Sequence, residues 1–483
     1  MKLLFVASEA YPLIKTGGLA DVAGTLPDVL RQGGVDVRLL LPAYADLLAS
    51  IDGQPAVVGE LDLAGQPARL LETHLPDTPL VTWLVDHPLF SARPGNPYHD
   101  PQGNPWEDNA DRFMLLCRAA VQIGCGEAGL LWRPDVMHCN DWHTGPAVAL
   151  AKLQPGGPAT VFTIHNLAHM GLFDRETFER LQLPGQLWGD HALEFYGHCS
   201  FMKGGLVFAD YVTTVSPGYA REICESPGGM GLEGLLSARR DSLVGILNGI
   251  DTSTWDPSTD AYIEQRYTIE SLDVKSVNKR ALQQALGLDV RDDLPLLGFV
   301  GRLTEQKGLE LMLPVLQQVL ELPAQLVLLG TGEPGYEREI KRLAEANSRA
   351  MAAVLAYHES LAHRIEAGAD IFLMPSLFEP CGLNQLYSLR YGTLPLVRAV
   401  GGLADTVVDA DEAAIANGTA TGFVFLQPTP EDFLAVVQRA CRKWLEPDHW
   451  RALQLTGMVQ DFSWHQSAER YLALYREAMN LER

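Results

Sequence analysis

Short runs of consecutive apolar residues alternate along the chain with longer segments that have helical periodicity. The first two runs are KLLFVA (2–7) and VDVRLLLPAY (35–44), and between them the glycine turn KTGG leads into the helix-like segment LADVAGTLPDVLRQGG. Continuous apolar runs, rather than alternating ones, are typical of strands that are covered on both faces. The order strand, glycine turn, helix, strand therefore predicts a parallel α/β sheet.

The same order recurs in two stretches of similar length. Further strands are predicted at 81–86, 135–139, 159–166 and 210–216, and then at 294–303, 325–332, 351–357, 370–376 and 393–402. Turn-forming residues cluster between the two stretches, in NGIDTSTWDP (248–257). We predict an α/β protein of two doubly wound parallel-sheet domains, residues 1–244 and 245–460, followed by an amphipathic helix within 461–483.

The amino-acid composition and net charge exclude several classes of protein function. Of the 483 residues, 47% are hydrophobic, which excludes a disordered chain. The net charge of −23 argues against binding to a nucleic-acid backbone. The seven cysteines show no C-x-x-C spacing, and the sequence has neither a signal-peptide core nor an apolar run of membrane-spanning length. We therefore expect a cytoplasmic protein with no nucleic-acid or membrane partner.

Two glycine motifs each follow a predicted strand and open a helix: GGLADV at 17–22 and GGLADT at 401–406. Helix N-termini direct backbone N–H groups at bound anions, so both motifs could face an anionic ligand in a crevice at the carboxyl ends of the strands. Lys15 precedes the first motif and adds a positive charge. The alternative is a chance similarity between two structural turns.

Two loops of the second stretch carry candidate site residues. Arg302 and Lys307 lie in RLTEQKG, directly after a predicted strand, where two cations could clamp a diphosphate; an exposed charged loop is the alternative. Glu379 in FEPCGL also follows a strand, and its carboxylate suits sugar hydroxyls or positive charge that develops on an anomeric carbon. Cys381 in the same loop is either a reactive thiol or a small packing residue.

Three other patterns point to different chemistry. The histidines of HCNDWH (138–143) and His165 could bind a metal, contact a sugar or pack in a core, but compact zinc-site spacing is absent. GTGEPG (330–335) matches a dinucleotide fingerprint, although the next strand ends at Tyr357 and not at an acidic residue. DAD (409–411) resembles a metal-binding D-x-D, but a solvated loop fits its surroundings better. We therefore predict neither a metal site nor a nicotinamide cofactor.

Taken together, the motifs resemble those of the bacterial and plant glycogen and starch synthase family, which are retaining glucosyltransferases with the two-domain GT-B architecture. The resemblance extends over nearly the whole chain and rests on KTGGLADV (15–22), RPGNPYHD (93–100), NDWHTG (140–145), TIHNL (163–167), LNGID (247–251), RLTEQKG (302–308), FEPCGLNQLY (378–387) and DFSW (461–464). It implies two Rossmann-like domains that face each other across a deep cleft, with the C-terminal helix crossing back onto the N-terminal domain.

The resemblance also implies an activity and its partners. Glucose would be transferred from ADP-glucose to the non-reducing 4-OH end of an α-1,4-glucan such as glycogen, with retention of configuration. Neither a metal nor another cofactor would be needed, because protein cations would neutralise the leaving diphosphate.

Residue roles follow from the same resemblance. The catalytic set would be Lys15, His165, Arg302, Lys307 and Glu379. The donor-binding set would be Lys15, Gly17, Gly18, Asn248, Arg302, Lys307, Tyr357, Glu379, Cys381, Gly382 and Leu383. The acceptor-binding set would be Glu9, Asp21, Tyr98, Asp141 and Asn166.

Two positions depart from the expected pattern. Val400 stands where the family commonly has Thr before Gly-Gly-Leu, which removes a hydroxyl contact to the donor. Tyr387 stands where the wider GT-B pattern has a second glutamate, although this family often has Tyr there. The competing hypotheses are a UDP-glucose-using transferase of the same fold, a catalytically silent glycan- or nucleotide-binding protein, and a dehydrogenase.

Overall fold

The computed structural model describes residues 1–51 and 53–481, and the chain divides into two compact units. The first unit comprises Met1–Gly249 together with the stretch from Trp464 to the C-terminus, and the second is Ile250–Ser463. The second unit is therefore inserted, in sequence, before the last helix of the first.

Strands and helices alternate along most of the described chain. The strands are β1 (Lys2–Val6), β2 (Asp36–Pro42), β3 (Ala56–Asp62), β4 (Pro67–His74), β5 (Val81–Asp86), β6 (Val136–Asn140), β7 (Ala159–Ile164), β8 (Leu172–Phe173), β9 (Glu194–Phe195), β10 (His198–Ser200), β11 (Tyr211–Thr214), β12 (Leu243–Gly245), β13 (Leu296–Val300), β14 (Gln325–Leu329), β15 (Met351–Val354), β16 (Ile371–Met374), β17 (Leu394–Arg398) and β18 (Phe423–Phe425).

The helices cover the faces of the sheets. They are α1 (Gly18–Gln32), α2 (Ala45–Ser50), α3 (Pro88–Ser91), α4 (Asn109–Cys125), α5 (Gly145–Lys152), α6 (Arg175–Arg180), α7 (Phe201–Phe208), α8 (Pro217–Glu222), α9 (Glu233–Ala238), α10 (Lys275–Ala285), α11 (Leu309–Leu320), α12 (Pro334–Ala346), α13 (Glu359–Gly368), α14 (Asn384–Arg390), α15 (Gly401–Thr406), α16 (Glu412–Ala416), α17 (Pro430–Trp444), α18 (Pro447–Met458) and α19 (Trp464–Asn480).

The first unit is built on a nine-stranded sheet of order β12-β11-β7-β6-β1-β2-β5-β4-β3. It is parallel from β12 to β5, and an antiparallel hairpin of β3 and β4 extends its edge. The strand order reverses between β6 and β1, so the carboxyl ends of these two strands form a crevice of the kind in which open α/β sheets bind ligands. A separate sheet of three short antiparallel strands, β8-β10-β9, lies outside it.

The second unit contains a six-stranded, fully parallel sheet of order β15-β14-β13-β16-β17-β18. Its central strands are buried along their length, which explains their continuous apolar sequence. Here the order reverses between β13 and β16, and the loops that follow these strands are RLTEQKG and FEPCGL.

Helix α19 packs within the first unit, against α1 and against the face of β6 and β7. It buries Trp464, Tyr471 and Tyr475, whose spacing puts them on one face of the helix. The Tyr475 hydroxyl is 2.7 Å from Nδ1 of His138, and Nε2 of His138 is 2.6 Å from the Thr163 hydroxyl. No helix among the described residues is both long and apolar enough to cross a membrane.

Candidate active site

In the second unit, the loops after β13 and β16 bring Lys307 and Glu379 together. The Lys307 Nζ atom is 2.6 Å from Oε2 of Glu379, although 72 residues separate them in the sequence. The Ser376 hydroxyl donates to the same oxygen at 3.0 Å, and Glu379 is only 6% exposed. A buried carboxylate needs such partners, because desolvation without them is costly.

Glycines explain how the Glu379 segment packs so closely against the start of α15. A Cβ on Gly401 would lie 2.0 Å from the Glu379 carbonyl oxygen, and its φ of +43° also disfavours other residues. A Cβ on Gly402 would lie 2.1 Å from the carbonyl oxygen of Cys381, and the Gly402 N–H donates to the Glu379 carbonyl at 3.1 Å. The second copy of the glycine motif therefore positions the Glu379 segment.

Gly308 likewise allows the loop that carries Lys307 to pack closely against its neighbour. Its φ is +74°, and a Cβ there would lie 1.9 Å from the carbonyl oxygen of Pro375, at the end of β16. The loop is also tied to the strand end by a 2.9 Å hydrogen bond from the Leu377 N–H to the carbonyl of Gln306. The cation and the carboxylate are thus held by backbone contacts between their two loops.

The other predicted residues of this unit lie in different environments. Arg302 is exposed, and its Nη2 is 3.5 Å from the Gln306 amide oxygen. Tyr357 follows β15, is 71% exposed and donates its hydroxyl proton to Glu359 at 2.5 Å. Cys381 is buried, which favours the packing interpretation, and it is followed by Gly382 with a φ of +73° and by Leu383, the N-cap residue of α14.

Sequence reasoning missed Arg398 at the end of β17. Its guanidinium donates to the carbonyl of Ser376 at 2.9 Å and also to that of Leu377. It therefore holds the segment from which Ser376 and Glu379 project. The available signal was an arginine within the strand predicted at 393–402, three residues before the Gly-Gly pair at 401–402. Val400, which follows it, is buried at the N-cap of α15 and makes no side-chain hydrogen bond there.

In the first unit, Glu9 lies just beyond the carboxyl end of β1. One carboxylate oxygen accepts hydrogen bonds from both the backbone N–H and the hydroxyl of Thr16, each at 2.6 Å. The side chain is almost fully buried, and this burial raises the pKa of Glu9 to about 7. Glu9 therefore fixes the loop that carries Lys15.

Lys15 forms an ion pair with Asp21, with Nζ 2.8 Å from Oδ1. Asp21 projects from the first turn of α1, where a carboxylate also interacts favourably with the helix dipole. Gly17 is the N-cap residue of α1 and Gly18 is its first helical residue, so the predicted glycines do lie at a helix N-terminus. Lys15 and Asp21, predicted for donor and acceptor respectively, thus contact each other directly.

Asp141 and Tyr98 lie near Glu9. Asp141 directly follows β6, has a φ of +60° and accepts a hydrogen bond from the Trp142 N–H at 3.0 Å. Burial raises the pKa of Asp141 to about 8, and the nearby charge of Glu9 adds to this. The Tyr98 hydroxyl is 2.8 Å from the Ser8 hydroxyl, and the Tyr98 ring stacks on His143.

His165 follows β7, and its Nε2 is 3.0 Å from Oδ1 of Asn140. Burial lowers the pKa of His165 to about 3, so the imidazole is neutral at physiological pH. The neighbouring Asn166 uses its amide oxygen to accept from the Ala168 N–H at 3.0 Å. Asn248 is 6% exposed, and its amide oxygen has no hydrogen-bond partner among residues 1–51 and 53–481.

The patterns that pointed elsewhere have structural explanations. His138 is a core residue bound to Tyr475 and Thr163. Cβ atoms on Gly330 and Gly332 would lie 1.9 Å and 2.3 Å from backbone oxygens of the 301–303 loop, so those glycines permit packing between neighbouring loops. Asp409 is ion-paired with Arg439 at 2.6 Å, so only part of the D-x-D segment is solvated. The described residues contain no group of three or more His, Cys, Asp or Glu that could hold a metal ion.

Comparisons with protein families cover both units. Residues 2–238 match the family described as "Starch synthase catalytic domain", and residues 285–452 match "Glycosyl transferases group 1".

Individual relatives match along the full chain. Glycogen synthase 1 of Methylococcus capsulatus is 53% identical over 479 residues, which cover 99% of this chain and 97% of the relative. The glycogen synthase of Cellvibrio japonicus is 52% identical, with 98% of both chains covered. Among solved structures, the catalytic domain of starch synthase IV from Arabidopsis thaliana, bound to ADP and acarbose, matches with a TM-score of 0.88 at 31% identity and covers 99% of both chains.

Proposed function

Because the chain belongs to the glycogen and starch synthase family and is therefore a glycosyltransferase of the GT-B class, we propose that it transfers glucose from ADP-glucose to the non-reducing 4-OH of an α-1,4-glucan such as glycogen. The α configuration is retained, and neither a metal ion nor another cofactor is required. The observation that carries the proposal is the Lys307–Glu379 pair, which joins the two loops at the strand-order reversal of the second unit. The chain that carries this pair matches a glycogen synthase over 99% of its length.

The donor is bound through its diphosphate and its sugar. Lys15, Arg302 and Lys307 supply the positive charges, and the N–H groups of Gly17 and Gly18 at the start of α1 assist them. These charges offset the acidic surroundings of a chain with a net charge of −23. Glu379 and His165 contact the glucose, the Cys381-Gly382-Leu383 backbone lies along sugar and phosphate, Asn248 reaches the sugar, and Tyr357 lies near the adenine.

The transfer breaks the bond between the anomeric carbon and the diphosphate oxygen, and forms a bond from the same carbon to the acceptor 4-oxygen. The acceptor hydroxyl attacks on the face that the leaving group vacates, which preserves the α configuration. The departing phosphate oxygen takes the acceptor proton, so no protein base is needed. Glu379 stabilises the positive charge on the sugar ring and forms no covalent bond, because its carboxylate is already engaged by Lys307 and Ser376.

The acceptor glucan binds to the first unit through Glu9, Asp21, Tyr98, Asp141 and Asn166. Carboxylates, a phenol and an amide can all form hydrogen bonds with sugar hydroxyls. The Tyr98 ring, which stacks on His143, adds an aromatic surface. We place this activity in the cytoplasm, in keeping with seven cysteines that are all free thiols.

One assay tests the proposal. The protein is incubated with glycogen and radiolabelled ADP-glucose in the presence of EDTA, and label incorporated into glucan is measured, with UDP-glucose in a parallel reaction. Incorporation from ADP-glucose that exceeds incorporation from UDP-glucose supports the proposal. Faster incorporation from UDP-glucose overturns the donor assignment, and binding of either sugar nucleotide without incorporation overturns the enzymatic one. A requirement for added magnesium would contradict metal independence.

A further inference from the structure

Asn140 has an amide whose orientation is fixed by its surroundings. It is the last residue of β6 and is fully buried. Its Nδ2 donates to the carbonyl oxygen of Val6 on the neighbouring strand β1 at 3.1 Å and to that of His138 at 3.4 Å. If the amide were turned over, Oδ1 would face both carbonyl oxygens and neither contact could be a hydrogen bond. The amide oxygen therefore points to the other side.

That oxygen faces His165. The distance from Asn140 Oδ1 to Nε2 of His165 is 3.0 Å, and an amide oxygen only accepts hydrogen bonds. The proton of the imidazole must then reside on Nε2. Within the described parts of the chain, no group hydrogen-bonds to Nδ1 of His165, and the residue is only partly buried. In a neutral imidazole with Nε2 protonated, this Nδ1 atom carries a lone pair.

We infer that Asn140 is a positioning residue that holds His165 in the Nε2–H tautomer, so that Nδ1 accepts a hydrogen bond from a hydroxyl of the donor sugar. The inference rests on the proposed function for the identity of the ligand, but the tautomer itself does not depend on it. The hydrogen bonds from Asn140 to Val6 and to His165 connect the ends of β1, β6 and β7. The tautomer is therefore set by the backbone of the sheet and not by the ligand. A site built in this way favours sugars that present a hydroxyl at that point over analogues that lack it.

The first test needs no substrate. The full-length protein is labelled with ¹⁵N-histidine, and long-range ¹H–¹⁵N spectra identify the protonated nitrogen of each imidazole, with His165→Gln used to assign the signal. We expect a neutral ring with Nε2 protonated in the wild type, and population of the other tautomer in Asn140→Ala. A wild-type ring protonated on Nδ1 would overturn the inference even if every variant failed to fold.

A kinetic test addresses the consequence. We expect Asn140→Ala to lower kcat/KM for the donor by about 10–100-fold. A series of deoxy-glucose donors, each lacking one hydroxyl, should identify the hydroxyl that donates to His165. The wild-type protein should use the donor that lacks this hydroxyl at least tenfold more slowly than the intact donor. Asn140→Ala, which is already slow with the intact donor, should show little further decrease with the deoxy donor. Equal penalties in both proteins would overturn the inference. If the protein transfers no glucose from either nucleotide sugar, the proposed function fails while the tautomer result stands.

Asn278→Ala is the matched control. Asn278 is also a buried asparagine that bridges backbone groups, accepting from the Gln265 N–H and donating to the Gln265 carbonyl, each at 2.8 Å. It lies in the other unit and outside the proposed site. A comparable loss of thermal stability in both variants, with a change in tautomer and kinetics only in Asn140→Ala, separates positioning of His165 from a general loss of packing.

Discussion

Lys307 and Glu379 form an ion pair, with 2.6 Å between Nζ and Oε2, in a place where Glu379 is almost inaccessible to water. The lysine is thus committed to a carboxylate before any substrate is bound. An ammonium group has three protons, so Lys307 can keep this partner while it donates to a phosphate oxygen. The pair thereby links the part of the proposed site that binds phosphate to the part that binds sugar.

Lys307→Ala should lower kcat by about 10²–10³-fold while binding of glycogen is unchanged, because a contact to the leaving diphosphate is lost. Steady-state kinetics with labelled donor, together with a glycogen co-sedimentation assay, measure both effects. Lys341→Ala, which removes an exposed lysine from α12 in the same unit, is the control and should retain full activity. An unchanged kcat in Lys307→Ala would remove the role proposed for this residue.

The double variant Lys307→Ala/Glu379→Gln should be less impaired than the product of the two single effects. Removing the lysine alone leaves a buried carboxylate without its cation, and replacing that carboxylate by an amide relieves the penalty. The measurements are the free energy of unfolding in urea and kcat for the four proteins of the cycle. Strictly additive effects on stability would mean that the two side chains do not interact in solution.

Gly402→Ala should both destabilise the second unit, by about 1–3 kcal/mol, and abolish most activity. The added Cβ would lie 2.1 Å from the Cys381 carbonyl oxygen, so the segment that carries Glu379 must move. Gly335→Ala in α12 is the matched control, because a Cβ there meets no atom within 4 Å. We expect that control to be neutral or slightly stabilising, since alanine favours a helix over glycine. Wild-type activity in Gly402→Ala would show that the close approach is not required.

Stability of the first unit should fall between about pH 7 and pH 9 as Glu9 and Asp141 ionise. This range lies above that in which His138, His143 and His165, whose pKa values are lowered by burial, contribute an opposite slope. Their pKa values are raised on folding, from 4.5 to about 7 for Glu9 and from 3.8 to about 8 for Asp141. The folded state therefore binds more protons than the unfolded state in this range, so its advantage is complete below the unfolded pKa values and is lost as the pH rises through the folded ones.

The measurement is the thermal unfolding temperature from pH 7 to pH 9. Asp141→Asn should flatten this slope, since an amide does not titrate, whereas Glu345→Gln on exposed α12 should leave it unchanged. A wild-type slope that rises with pH over the same range, or an Asp141→Asn slope equal to that of the wild type, would contradict the assigned pKa shifts.

Tyr475→Phe should destabilise the first unit by about 1–2 kcal/mol. The change removes a hydroxyl that is 2.7 Å from Nδ1 of His138 and leaves a fully buried imidazole nitrogen without its partner. Urea unfolding followed by tryptophan fluorescence measures the loss. Tyr196→Phe, at a residue that is 79% exposed, provides the control. Equal stability of the two variants would argue that α19 is held by apolar contacts alone.

The sequence pattern predicted the central strands of both sheets well, because burial on both faces imposes continuous apolar runs. The run at 81–86 coincides with β5, and the run at 325–332 begins with β14 but extends into the glycine turn beyond Leu329. The hairpin of β3 and β4 was missed, since its strands lie at the sheet edge and are partly exposed. Short strands such as β12 and β18 carry too few residues to produce a pattern.

For the candidate site, the sequence indicated which loops carry the site residues, but not which side chains contact each other. Motifs after predicted strands placed Lys307 and Glu379 at carboxyl ends, and the observed strand order makes those ends neighbours. Nothing in the local pattern joins residues 72 positions apart, or reveals that Asn140 faces His165, because such contacts depend on sheet order and register. The raised pKa of Glu9 likewise follows from burial that only the folded unit creates.

The position of α19 has a consequence for biosynthesis. During synthesis Met1–Gly249 emerges before Ile250–Ser463, and both emerge before the helix whose Tyr475 completes the core around His138. We therefore expect the middle of the polypeptide to reach its native state before the beginning does, with the N-terminal portion waiting in a protease-sensitive form. Limited proteolysis of nascent chains stalled before Trp464 would reveal this order, and early protection of residues 1–249 would refute it.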